Sequence, residues 1–97
     1  MSDRDDNGDG LTREFEIRNQ YGIHARPASL FVKIASRFDG EVDVEKDGAR
    51  VSGKSIMGLM TLQASCGTKL RVSVDSPEGQ QVLDELEDLF ERKFDED

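Results

Sequence analysis

The only histidine of this 97-residue chain lies in a segment whose residue types could bind a phosphoryl group. His24 stands two residues before Arg26 and three before Pro27, and an apolar-periodic segment follows. Proline fits the first turn of a helix, because that turn has no use for the N–H that proline lacks. His24 would then lie at the helix start, where backbone N–H groups have no helical partner and the helix dipole is positive. Such a position can bind an anion, and the guanidinium of Arg26 would strengthen the binding.

A neutral imidazole at this position is a candidate phosphoryl acceptor. The positive end of the helix dipole disfavours protonation of the ring, and an imidazole in water is already mostly uncharged at pH 7. Arg26 supports the same interpretation. A cation is unfavourable at the positive end of the helix dipole, and an anion that binds there would offset this effect. We therefore predict that His24 accepts a phosphoryl group, and that Arg26 and the backbone N–H groups of Ala25 and Arg26 hold its oxygens.

Two segments of the chain resemble the signatures of the histidine-containing phosphocarrier protein (HPr) family of the bacterial phosphoenolpyruvate-dependent phosphotransferase system. Gly22–Ala28, GIHARPA, is similar to that family's phosphorylation site. Gly53–Met60, GKSIMGLM, is similar to its second signature, which contains a serine phosphorylated as a control. The two segments have a family-like separation, and the resemblance runs from about Leu11 to Phe94.

The resemblance implies a phosphocarrier rather than an enzyme, with no cofactor. The donor would be enzyme I, itself phosphorylated from phosphoenolpyruvate, and His24 would accept the phosphoryl group on Nδ1. Downstream enzymes II of sugar transport would then receive it. Ser55 would be the target of a serine kinase and phosphorylase, although it also suits an ordinary N-cap. The two roles are compatible, because a phosphate is tolerated at a helix start.

Apolar residues near both segments are candidates for docking to partner proteins. These candidates are Ala25, Ile56, Met57 and Met60, with Tyr21 in addition. Methionine at helical spacing usually belongs to the core, so at least one of these side chains should be buried. The five apolar residues of Ile56–Leu62 nevertheless exceed what one helix face can hide, so some should stay exposed for partners with acidic rims. Phosphorylation of Ser55 would add negative charge there and weaken docking.

The family has a sugar-uptake branch and a regulatory, nitrogen-related branch, and the sequence carries features of both. The acidic ending Phe94–Asp97 resembles the nitrogen branch, whereas Gly53–Met60 suits carriers that a serine kinase controls. The alternative function is therefore a regulatory, nitrogen-branch HPr-like protein that acts mainly by binding other proteins.

The net charge of −8 is concentrated at the two ends of the chain. Residues 1–9 carry four aspartates and one arginine, and residues 84–97 carry eight acidic and two basic residues. Residues 10–83 carry ten basic and nine acidic residues, so this segment is close to neutral and has no basic stripe. Nucleic acid is therefore not an expected partner. We predict a disordered acidic tail at residues 1–10 and one HPr-like domain at residues 11–97.

Several features favour a cytoplasmic protein without membrane insertion. Met1–Gly10 has neither the basic region nor the apolar region of a signal peptide, and no apolar run approaches a membrane span. Cys66 is the only cysteine and has no partner for an intramolecular disulfide, which fits a reducing compartment.

Hydrophobic periodicity predicts the elements that would position these residues. Alternating apolar residues predict four strands, around Leu11–Ile17, Val42–Val44, Ala49–Ser52 and Leu70–Val74, with a hairpin turn at Asp47–Gly48. A helical rhythm predicts three helices, from Pro27 to Gly40, from Ile56 to Gly67, and from Ser76–Pro77 past Phe90. The order is βαββαβα, and each strand is apolar on one face only. We therefore predict an α+β open-faced sandwich, a four-stranded antiparallel sheet with helices on one face.

Two motif matches carry no function in this context. Residues 48–55 match the P-loop pattern, but Gly48 is better explained by the hairpin, and the chain is too short for the crossover helices of a parallel sheet. Residues 3–14 match the EF-hand calcium loop, but only two residues precede the match, too few for a helix. No metal site is expected, because the chain has only one histidine and one cysteine. The sequence also identifies no acidic residue that would orient the His24 ring.

Overall fold

A computed structural model describes residues 10–96, in which four strands and three helices follow the predicted order βαββαβα. The elements are β1 (Gly10–Glu16), α1 (Ala25–Ala35), β2 (Glu41–Lys46), β3 (Ala49–Ser52), α2 (Ile56–Thr61), β4 (Lys69–Asp75), α3 (Gly79–Glu91) and a 3₁₀ turn (Lys93–Asp95). The strands form one antiparallel sheet in the spatial order β1-β4-β2-β3. The predicted fold class, an α+β open-faced sandwich, is confirmed.

The alternation of apolar and polar residues in each strand buries one face of the sheet. In the inner strand β4, Leu70, Val72 and Val74 are buried, whereas Lys69 and Arg71, which alternate with them, are exposed. Successive side chains of a strand point to opposite faces, so a period of two gives one core-facing side and one polar side.

Four phenylalanines from different elements meet in the core and fix the C-terminal end of the chain. The Phe90 ring of α3 stacks on Phe15 of β1, with ring centroids 4.9 Å apart. Phe31 of α1 and Phe94 of the 3₁₀ turn meet the Phe90 ring edge-on, at 6.2 Å and 4.8 Å. Because all four rings are buried, Phe94 anchors the residues after α3 to the core.

The turn between β2 and β3 confirms the predicted hairpin. The φ angles of Asp47 and Gly48 are 50° and 87°. Positive φ at both central residues is what a type I′ turn requires, and the pair Asp-Gly is typical of that turn.

The predicted ends of α1 and α2 are wrong. α1 ends at Ala35 rather than near Gly40, and α2 ends at Thr61 rather than near Gly67. Gln63 has a φ of 52°, which a right-handed helix cannot continue through. The loop after α2 is therefore longer than the pattern of apolar residues indicated.

The predicted start of α3 is also displaced. The hydroxyl of Ser76 accepts a hydrogen bond from the N–H of Glu78 at 3.1 Å, and its carbonyl accepts one from the N–H of Gly79 at 3.0 Å. Ser76 and Pro77 therefore form a separate turn, and the regular helix begins only at Gly79.

Some of the sequence-based predictions concern residues outside 10–96. The acidic tail lies outside the described residues, except that Gly10 is the first residue of β1. Most of the EF-hand match lies outside them as well. The P-loop match falls on the hairpin and β3, as the alternation predicted. Over residues 10–96, no helix is long and apolar enough to cross a membrane, and no cluster of His, Cys, Asp and Glu side chains could hold a metal ion.

Candidate functional site

The loop before α1 packs closely against the loop after α2, and this contact fixes His24 in place. Gly22 has a φ of 69°, and a Cβ atom there would lie 2.3 Å from the carbonyl oxygen of Ala64. That same oxygen accepts a hydrogen bond from the N–H of Ile23 at 2.9 Å. The buried side chain of Asn19 donates from Nδ2 to the carbonyl of Gly22 at 2.8 Å. Position 22 therefore requires glycine, and the peptide before His24 is held from two sides.

His24 is the N-cap residue of α1, where the sequence placed it. Its carbonyl accepts a helical hydrogen bond from the N–H of Ala28 at 3.0 Å. The N–H groups of Ala25 and Arg26 come before that bond and have no carbonyl partner within the helix. The His24 side chain makes no capping hydrogen bond and is 43% exposed. The ring is thus accessible to solvent at the positive end of the helix dipole.

A carboxylate that the sequence did not indicate contacts the His24 ring. Oε2 and Oε1 of Glu96 lie 3.1 Å and 3.3 Å from Nε2 of His24. Asn19 Nδ2 donates to Oε1 at 3.1 Å, and Arg26 Nη1 lies 3.6 Å from Oε2. The sequence identified no acidic partner for His24, and the structure supplies one, because folding brings together two residues 72 positions apart.

The partners of Glu96 determine its ionisation. Burial by itself raises the pKa of the Glu96 carboxyl group, since the charged form loses hydration. The hydrogen bonds from Asn19 and His24, and the charges of His24 and Arg26, act in the opposite direction and prevail, so the pKa is lowered. Glu96 is therefore ionised at neutral pH.

Arg26 is held by the 3₁₀ turn at the C-terminal end. Its Nη1 donates to the carbonyl oxygen of Phe94 at 2.8 Å, while the side chain stays 53% exposed. A guanidinium has five N–H donors, so this bond leaves others for an anion. Arg26 and His24 thus meet at the same carboxylate, that of Glu96.

The turn that carries Glu96 has an unusual backbone. The φ angles of Lys93, Phe94 and Asp95 are 56°, 53° and 59°, in the left-handed region that costs a non-glycine residue about 1–2 kcal/mol. The N–H groups of Asp95 and Glu96 donate to the carbonyls of Arg92 and Lys93, both at 2.9 Å. These bonds and the buried Phe94 ring hold the turn. No sequence signal predicts three such residues in succession, which is why sequence analysis missed Glu96.

Ser55 is the N-cap residue of α2, and its predicted capping role is confirmed. Its Oγ accepts a hydrogen bond from the N–H of Gly58 at 2.9 Å. A Cβ atom at position 58 would lie 3.1 Å from that oxygen, so glycine leaves room for the cap. The regulatory role of Ser55 stays a prediction.

The predicted docking residues share one property, exposure to solvent. They are Tyr21, Ala25, Ile56, Met57 and Met60. Met57 is 73% exposed and Tyr21 is 74% exposed. The expectation that at least one of the five is buried is wrong, because Leu59 and Leu62 supply the contacts with the core instead.

Comparisons with known proteins identify what this chain is similar to. A family model described as the PTS HPr component phosphorylation site matches residues 11–92. The phosphocarrier protein HPr of Treponema pallidum is 41% identical over 87 residues, which cover 90% of this chain and 99% of that protein. The HPr-like protein Crh of Bacillus subtilis is 45% identical over 76 residues, covering 78% of this chain and 89% of Crh. The crystal structure of HPr from Thermoanaerobacter tengcongensis has a TM-score of 0.85 and 42% identity, covering 90% of this chain and 98% of that one.

Proposed function

Because this chain belongs to the HPr family of phosphocarrier proteins, we propose that His24 is the residue that carries its phosphoryl group. A phosphocarrier takes a phosphoryl group from one protein and gives it to another, and it is not itself an enzyme. The observation that carries the assignment to His24 is the position of its ring, which is accessible to solvent at the start of α1. The contact with Glu96 is consistent with it, because Glu96 contacts Nε2 and not Nδ1.

The proposed transfer forms one bond and breaks one. The lone pair of Nδ1 attacks the phosphorus atom, and the bond between phosphorus and the donor breaks with its electron pair left on the donor. The proton on Nε2 stays in place. Passing the phosphoryl group to an acceptor repeats these steps with His24 as the leaving group.

Arg26 and the first turn of α1 would hold the phosphoryl oxygens. The guanidinium has donors left after its bond to Phe94, and an Arg–phosphate contact is both charge-assisted and frequently bidentate. The N–H groups of Ala25 and Arg26 have no partner within the helix and can add to the contact. A site with these few contacts is exposed enough to release the group to the next protein.

The proposed partners are enzyme I as donor and enzymes II as acceptors, since the HPr family acts with phosphotransferase-system enzymes. The five exposed apolar residues described above, which we call the docking surface, would contact them. They are Tyr21, Ala25, Ile56, Met57 and Met60. This proposal places the protein in the cytoplasm, where phosphoenolpyruvate is available to enzyme I.

Phosphorylation of Ser55 by a serine kinase would regulate docking. A phosphate on Ser55 would add about two negative charges at the helix start, close to Ile56 and Met57 of the docking surface. Ser55→Asp tests the charge, and Ser55→Asn is the matched control because both residues cap helices well. We expect slower phosphotransfer from enzyme I with the aspartate variant only. Equal rates for the two variants would contradict regulation through charge.

A second candidate is a regulatory HPr-like protein that acts mainly by binding other proteins. The 45% identity to the HPr-like protein Crh favours it. This candidate requires that His24→Ala leaves the affinity for the partner intact and that no phosphoryl group is carried.

Incubation with enzyme I and phosphoenolpyruvate tests the proposed function. We expect the protein to gain one phosphoryl group, in an adduct that is labile in acid and stable in alkali. His24→Ala should gain none, and Arg26→Ala should gain it more slowly. An adduct that forms equally on His24→Ala would refute the assignment.

A further inference from the structure

We propose that Glu96 is a positioning residue that keeps the proton of the neutral His24 ring on Nε2, so that Nδ1 holds the reactive lone pair. The proposal rests on the proposed function, because it concerns how His24 is prepared to accept a phosphoryl group. Two carboxylate oxygens at 3.1 Å and 3.3 Å from the same ring nitrogen carry it.

The hydrogen-bonding capacities of the two groups decide which ring nitrogen carries the proton. An ionised carboxylate has no proton to donate, so Nε2 must be the donor in this contact. A neutral imidazole has only one N–H, and once that proton is on Nε2, the lone pair is on Nδ1. In general, the hydrogen-bond partner of one imidazole nitrogen determines whether the other nitrogen is protonated.

The carboxylate of Glu96 is itself oriented by Asn19. Nδ2 of Asn19 lies 2.8 Å from the carbonyl oxygen of Gly22 and 3.1 Å from Oε1 of Glu96. Because both partners are acceptors, the NH₂ group of Asn19 must face them, and the amide cannot be reversed. Asn19 is fully buried, so its amide group has a fixed orientation. Its hydrogen bond to Oε1 in turn orients the carboxylate of Glu96.

The contact between Glu96 and Nε2 would also stabilise the phosphorylated ring. When Nδ1 bonds to phosphorus, the ring still carries its proton on Nε2 and gains a positive charge. The carboxylate of Glu96 lies beside that proton and offsets the charge. A ring that keeps its positive charge is a better leaving group, so the contact also favours release of the phosphoryl group to the next acceptor.

Substitution by glutamine separates this role from a structural one. In Glu96→Gln, Asn19 Nδ2 is the nearer donor, 3.1 Å from the Oε1 position, whereas Arg26 Nη1 lies 3.6 Å from the Oε2 position. We therefore expect the side-chain oxygen to face Asn19, which places the new NH₂ group at the Oε2 position, 3.1 Å from Nε2 of His24. An NH₂ group donates to a bare nitrogen, so it favours the ring form with its proton on Nδ1. We therefore expect Glu96→Gln to be at least as damaging as Glu96→Ala. A role in packing alone requires the opposite order, because glutamine keeps the size of glutamate.

The experiment is a ¹⁵N NMR measurement of the His24 ring at alkaline pH, where the ring is neutral. The shifts of the two nitrogens report which one carries the proton. We expect the proton on Nε2 in the wild type, a mixture in Glu96→Ala, and a shift toward Nδ1 in Glu96→Gln. Glu91→Gln is the matched control, since Glu91 is an exposed glutamate of α3 that loses the same charge, and it should give the wild-type spectrum.

Phosphotransfer rates from enzyme I complete the test. We expect phosphotransfer to Glu96→Ala to be slower by roughly 10- to 100-fold, the range that corresponds to one hydrogen bond with a charged group, and phosphotransfer to Glu96→Gln to be no faster than to Glu96→Ala. Identical ring spectra for wild type and Glu96→Gln, or a glutamine variant faster than the alanine variant, would overturn the proposal. The NMR measurement uses no phosphoryl donor. A wild type with its proton on Nε2 that is never phosphorylated would refute the proposed function and leave the assigned tautomer standing.

Discussion

Replacing Gly22 by alanine should destabilise the protein more than the same replacement of Gly48. Both glycines have positive φ, 69° and 87°, so both variants incur the left-handed backbone cost of about 1–2 kcal/mol. A Cβ atom at position 48 meets nothing within 4 Å, whereas one at position 22 would lie 2.3 Å from the Ala64 carbonyl oxygen. That clash must separate the two loops and break the hydrogen bond from the N–H of Ile23 to the carbonyl of Ala64. The free energy of unfolding of Gly22→Ala should therefore fall by about 2 kcal/mol more than the backbone cost alone.

Urea unfolding of the wild type and the two variants measures this difference directly. We expect Gly48→Ala to lose about 1–2 kcal/mol and Gly22→Ala to lose about 2 kcal/mol more. For a domain of this size, that difference corresponds to a melting temperature lower by roughly 8–16 °C. Phosphotransfer should fall in Gly22→Ala only, because its loop carries His24. Equal losses of stability in the two variants would refute the close approach of the two loops.

Three further predictions concern the C-terminal turn and the cap of α2. Phe94→Ala should reduce the free energy of unfolding by about 3–5 kcal/mol, because it empties a fully buried site next to Phe90; a loss below about 1 kcal/mol would show that the turn is not anchored in the core. In urea unfolding, Ser55→Ala should lower the free energy of unfolding by about 1 kcal/mol and Ser55→Asn should leave it almost unchanged, since asparagine keeps the cap. Equal losses in the two variants would argue against the capping hydrogen bond from the N–H of Gly58 to the Ser55 side chain. Because folding lowers the pKa of Glu96, its contribution to stability is complete above the ordinary value of 4.5 and is lost as the pH falls through the lowered value. The difference in unfolding free energy between wild type and Glu96→Gln should therefore shrink in acid, and a difference that stays constant with pH would contradict the ionised contact.

The sequence was sufficient for features that depend on neighbouring residues. Pro27 marks the first turn of α1, and Asp47–Gly48 marks the hairpin, because each is a local preference of the backbone. The alternation in each strand gave the sheet and its buried face for the same reason. These local signals were enough to place His24 at a helix start and Ser55 at a cap.

Features that depend on contacts between distant parts of the chain could not be predicted in this way. Glu96 reaches His24 through a turn of left-handed residues whose conformation depends on the burial of Phe94. No property of an acidic C-terminal segment distinguishes one glutamate that folds back from others that stay in solvent. The ends of the helices failed for a similar reason, because the chain leaves α2 where the loop must meet Gly22, not where the apolar pattern stops.

The position of the phosphoryl group on the phosphorylated protein tests the central claim most directly. After incubation with enzyme I and phosphoenolpyruvate, ³¹P NMR of protein labelled with ¹⁵N in its single histidine identifies the nitrogen bonded to phosphorus. We expect one phosphoryl group on Nδ1 of His24, with Nε2 still protonated beside Glu96. A phosphoryl group on another residue, or on Nε2 of His24, would contradict the account.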